Sequence, residues 1–123
     1  MSAPASVSIN GTLPTEFSIR EETPVKVVYK FWLRRPNEDW LTFGPEVTDD
    51  DIADRWVILP PLPQGSQFAY WLAVAGHPHA TWRVRLTIRQ PGADGNAATW
   101  TESGTTGAGG EFTMPETVQL ELD

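Results

Sequence analysis

The chain has 123 residues, a formal charge of −7, six tryptophans and no cysteine. The missing thiols exclude disulfides and thiolate metal sites, and the acidic balance excludes general nucleic-acid binding, which needs a basic footprint. The length fits one domain over residues 1–123, large enough to build a hydrophobic core without staples.

Taken in chain order, Met1 to Ser6 lack a basic segment followed by an apolar one, so no signal peptide is expected. Cytoplasmic residence is then the default, with non-classical export as the other route. Val7 and Ile9 alternate with serines, and Phe17 and Ile19 flank Ser18. Pro24 to Arg35 is the clearest strand: Val25, Val27, Tyr29, Phe31 and Leu33 share one face, and Lys26, Val28, Lys30, Trp32 and Arg34 the other. Trp40 to Phe43 is a shorter candidate. Thr48 is suited to cap a helix begun by Asp49, Asp50 and Asp51, with Ile52 and Trp56 one turn apart. At most one short helix near 49–56 is expected, although Arg55 to Leu59 also reads as a strand.

Phe68 to Ala75 is apolar on both faces, yet the run to Gly76 is far short of the ~20 residues of a membrane-spanning helix. In Thr81 to Gln90, Trp82, Val84, Leu86 and Ile88 alternate with Arg83, Arg85, Thr87 and Arg89. Asp94-Gly95 signals a hairpin into Thr99 to Ser103. The SGTTGAGG stretch at 103–110 reads as a flexible glycine-rich loop. Glu111 to Met114 and the alternating Val118, Leu120 and Leu122 close the chain. Eight or nine short strands predict an all-β fold, a single antiparallel β-sandwich of immunoglobulin-like or jelly-roll-like type, with a small barrel as the alternative. No cysteine pair or tyrosine corner ties the chain to a particular family.

Tryptophan is large, stiff and amphipathic, and a small domain spends it on its core or on a recognition surface. Alternation places Trp82 in the core, and Trp56 is assigned there too. Trp32 sits on the polar face of its strand, either as a platform for a ligand or beneath the stems of Lys30 and Arg34. Trp71 shares a face with Ala69, Ala73 and Ala75, an apolar shelf that needs cover from a neighbouring layer, a subunit or a ligand. Trp40 and Trp100 lie in short segments and are read as the rim of a site.

Six cations form two outward stripes, Lys26, Lys30 and Arg34 on one strand and Arg83, Arg85 and Arg89 on another. They suit either a solvated sheet face or an anionic ligand such as a sulfated or carboxylated sugar. If the stripes are adjacent, Glu121 on the last strand is the candidate to separate them. Glu46, Asp49, Asp50, Asp51 and Asp54 offer oxygens that calcium would accept, with Asp49, Asp51 and Asp54 as the ligands. Helix capping explains the same residues more simply, so no cofactor is expected. His77-Pro78-His79 reads as a turn rather than a transition-metal site.

No nucleophile elbow, zinc-protease motif or phosphate-cradling loop is present, so catalysis is not expected. The resulting expectation is a non-catalytic recognition module that binds a carbohydrate or similar ligand through Trp32, Trp71, Trp40 and Trp100 with Arg34, Arg83 and Arg85. The alternative is a structural protein that self-associates or docks a protein partner through the apolar face of strand 68–75. A third reading, an acidic inhibitor of a basic protein, rests on charge alone.

Overall fold

The computed structural model describes residues 3–48, 53–91 and 97–122. Ten strands are present: β1 (Ser6–Val7), β2 (Thr15–Glu21), β3 (Lys26–Arg34), β4 (Leu41–Thr48), β5 (Asp54–Ile58), β6 (Ser66–Ala75), β7 (Thr81–Arg89), β8 (Ala97–Thr105), β9 (Glu111–Thr113) and β10 (Val118–Leu122). One sheet runs β1-β10-β6-β3-β4, with β9 pairing the far end of β6, and the other runs β5-β2-β7-β8. All neighbours are antiparallel except β1 and β10. The two sheets pack as an all-β sandwich and do not close into a barrel. The very short β1 and β9 take the strand number past the eight or nine expected.

Period-two alternation builds both sheets. Val27, Tyr29, Phe31 and Leu33 of β3 and Trp82, Val84, Leu86 and Ile88 of β7 all turn inward and are buried. Phe17 of β2 and Phe68 of β6 stack between the sheets with ring centroids 4.2 Å apart. Phe31 lies 5.4 Å from Phe68, so aromatic rings fill the centre of the core.

Among the described residues there is no helix, and Asp54–Ile58 is strand β5, paired with Thr15–Ile19. The start of the expected helix, 49–52, lies outside the described residues, as does the Asp94-Gly95 turn. The strands flanking that turn pair from Arg89↔Ala97 onward. The glycine-rich stretch at 103–110 is strand as far as Thr105. It then forms a bonded turn: buried Thr106 donates its hydroxyl to the His77 carbonyl at 2.6 Å, and Gly107 N–H to Glu111 O at 2.9 Å. Gly110 completes that turn with φ +77°, a conformation few side chains tolerate.

Candidate functional site

The outward face of the larger sheet gathers most of what a ligand would use. In register across β3 and β6, Arg34 pairs with Gln67, Trp32 with Ala69, Lys30 with Trp71, Val28 with Ala73, and Lys26 with Ala75. Because side chains alternate, all ten lie on the same outer face. β6 is a central strand, and that explains its two apolar faces in part. Its inner face lies under the smaller sheet, whereas no sheet covers its outer face among the described residues.

Trp32, Trp40, Thr42, Ala69, Thr117 and Gln119 line a shallow depression of about 330 Å³ on this face. The alanine forms a floor because anything larger would fill the space, and Ala69 is itself buried. Trp40 comes from the β3–β4 connection and is held by Arg34, whose guanidinium carbon lies 4.9 Å from the centre of the indole. Arg34 also donates to the Gln67 side chain, so it joins Trp40 to the edge of the sheet face. A second depression of about 250 Å³, lined by Lys26, Val28, Ala73, Ala75, Glu111 and Thr113 among others, opens farther along the same sheet.

Trp71 stands between them in register. Its indole Nε1–H donates to the Met114 carbonyl at 2.9 Å, which holds the ring in place. Trp71 and Trp32 are both half-buried. Platforms held by packing and hydrogen bonds lose little entropy when a ligand settles on them.

The other candidates are elsewhere. Trp100 is only 5 % exposed and cannot rim a site; its Nε1–H donates to Tyr70 Oη at 3.0 Å inside the sandwich. Its inward position follows from pairing with Leu86 on β7. Arg83 and Arg85 lie on the outer face of the opposite sheet, beyond the reach of the tryptophan face. Glu22 sits 3.7 Å from Arg83 and 2.8 Å from Arg85, while Glu16 lies 3.1 Å from Arg89 and 4.0 Å from Arg55. The two cationic stripes are therefore not neighbours. Glu121, placed opposite Gln67 on β10 by register, does not separate them. The arginine face has its own depression of about 440 Å³, lined by Thr23, Thr81, Arg83, Ser103 and Thr105 with the buried Trp82 at its base.

Two side-chain networks escaped the sequence reading. Trp56 Nε1–H donates to Tyr29 Oη at 3.1 Å, and Tyr29 Oη–H donates to Asp54 Oδ2 at 2.7 Å. On the other side, Trp100 donates to Tyr70, which donates to Glu102 Oε1 at 2.8 Å. Each network joins a tyrosine of the larger sheet to an edge strand of the smaller one, β5 or β8. Burial, reinforced by the carboxylate that accepts its proton, pushes each phenol well above the ordinary tyrosine range. The only signal was the pair of i, i+2 spacings, Asp54 to Trp56 and Trp100 to Glu102, which put each indole and carboxylate on one face of a strand.

Asp54 is thus engaged with Tyr29, and the other calcium candidates, Asp49 and Asp51, lie outside the described residues. Among the described residues no three histidine or acidic side chains converge as a metal site would require. His77 and His79 are exposed in the β6–β7 turn, His79 with φ 54°. No helix of the described residues is long and apolar enough to cross a membrane. Searches of protein-family models, curated proteins and solved structures find no match to this chain.

Proposed function

We propose that this protein is a non-catalytic recognition module that binds carbohydrate on the outer face of its larger sheet. The observation that carries the reading is the depression between Trp32 and Trp40, floored by Ala69 and edged by Thr42, Thr117 and Gln119. A sugar ring presents an apolar C–H face and a rim of hydroxyls. Indoles match the first, and a glutamine amide with threonine hydroxyls matches the second. Trp71 extends the apolar surface toward the second depression, which suits a linear oligosaccharide better than a single ring.

Affinity electrophoresis against xylan, mannan, cellulose derivatives, β-glucan and polygalacturonate tests this reading, with circular dichroism as the folding control. Trp32→Ala and Trp40→Ala are each expected to weaken binding about tenfold or more, the loss of about 1.4 kcal/mol or above that an aromatic anchor supplies. Retention of full binding by both folded variants would overturn the site. A failure of the native protein to bind any of the polymers would overturn the function.

A further inference from the structure

We infer that Lys30 is the receptor for a carboxylate of the ligand, and that the glycan recognised is a linear polyuronate; this rests on the carbohydrate-binding reading above. Lys30 is half-buried at the middle of the tryptophan face. In register it faces Trp71 on β6, and its neighbours on the same face of β3 are Val28 and Trp32. On its other side, β4 bulges between Phe43 and Glu46, so that Gly44 and Pro45 lie opposite it and supply no acid. A Cβ built on Gly44 would lie 3.6 Å from Lys30 Cα, which shows how close that backbone comes. Glu46 opposes Tyr29 and lines the depression shared with Asp54 and Arg55 instead.

The contrast with the opposite face is chemical. There Arg55, Arg83, Arg85 and Arg89 each have Glu16 or Glu22 within 4.0 Å, and of the arginines of that face Arg20, opposite Arg85, has no ion pair among the described residues. Lys30 has no ion pair among the described residues, and its register neighbours are Trp71 across β6 and the Gly44-Pro45 bulge of β4. Among the described residues, the acids in register with the tryptophan face on β9 and β10 stand toward its ends. Glu111 is in register with Ala75, and Glu121 with Gln67, each one strand removed from Lys26 and Arg34 respectively. An ammonium without a counter-ion within the sheet favours an anion brought by the ligand.

Charge density selects the class of glycan. Lys26, Lys30 and Arg34 are spaced four residues apart, about 13 Å along a strand. A polymer with a single carboxylate per sugar brings fewer charges per unit than a sulfated one, and Lys30 needs to meet only one of them. A heavily sulfated chain would bring many more charges than the three cations meet, onto a protein of net charge −7.

The test compares polygalacturonate with the same polymer after chemical reduction of its carboxyl groups, by isothermal titration calorimetry at low and moderate salt. The native protein is expected to bind the polyuronate about tenfold or more tightly than the reduced polymer, with the advantage shrinking as salt rises. Lys30→Gln should abolish that preference and Lys30→Arg should retain it. Arg83→Gln, which removes the same charge from the opposite face beside Glu22, should leave the polyuronate affinity where it was. Equal affinity for the two polymers, or equal losses from Lys30→Gln and Arg83→Gln, would overturn the assignment. Trp32-dependent binding of neutral polymers alone would end this inference but leave the carbohydrate reading standing. No binding to any polymer would end both.

Discussion

Two tyrosine hydroxyls bridge the sheets through side-chain hydrogen bonds. Tyr29 and Tyr70 are each fully buried along the ring, yet each oxygen accepts from an indole and donates to a carboxylate. Replacing either by phenylalanine removes two hydrogen bonds and strands an indole N–H beside a carboxylate in a partly desolvated place. Tyr29→Phe and Tyr70→Phe are each expected to cost about 1–3 kcal/mol, measured by denaturant unfolding. The same bonds set a pH limit. Both phenols titrate higher in the folded protein than the ordinary tyrosine value of about 10. Their stabilisation is therefore complete below about pH 10, where both folded and unfolded phenols are neutral, and is lost progressively as alkali ionises the unfolded chain first. A midpoint of unfolding that falls steeply above that pH in the native protein, and less steeply in the double phenylalanine variant, is the expected pattern. These partners were not legible beforehand. Alternation sends a tyrosine inward, but the group that meets its hydroxyl comes from the facing sheet.

At the scale of elements, β8 illustrates how a strand that reads as loop-like becomes structure. The glycines after Trp100 suggest slack, yet Gly104 lies opposite Trp82 in the β7–β8 ladder. A Cβ there would sit 3.0 Å from the Trp82 ring, so the missing side chain is what allows the indole to lie against the strand. Gly104→Val is therefore expected to destabilise the fold by about 1–3 kcal/mol through overpacking, read as a lowered unfolding midpoint in urea. A Trp82→Leu background should recover part of that loss, because the clashing ring is gone. Strand β6 teaches a related point. Its doubly apolar sequence correctly marks a central strand, but only one of its faces is covered by the other sheet. The remaining face, with Ala69, Trp71, Ala73 and Ala75, becomes the floor of the candidate site.

For the molecule as a whole, the carbohydrate reading and self-association compete for the same surface. A module that keeps its tryptophan face for glycans is expected to be a monomer by light scattering over a wide concentration range. A stable dimer lost on Trp71→Ser substitution would instead assign the face to a second copy and remove the proposed site. The sequence by itself determined the all-β class, the inward faces of β3 and β7, and the outward position of Trp32. All of these depend on period-two alternation along a single strand, which needs no knowledge of neighbours. It misplaced Trp100, grouped Arg83 and Arg85 with Trp32, and left a short helix near 49–56 open beside the strand that Asp54–Ile58 forms. Only the tertiary structure decided those matters. Which strands share a sheet, which outer face each side chain joins, and whether a carboxylate lies within reach of a cation depend on pairings between distant segments. Glu16 beside Arg89 and the Gly44-Pro45 bulge beside Lys30 are two such outcomes, one neutralising a cation and the other leaving one available.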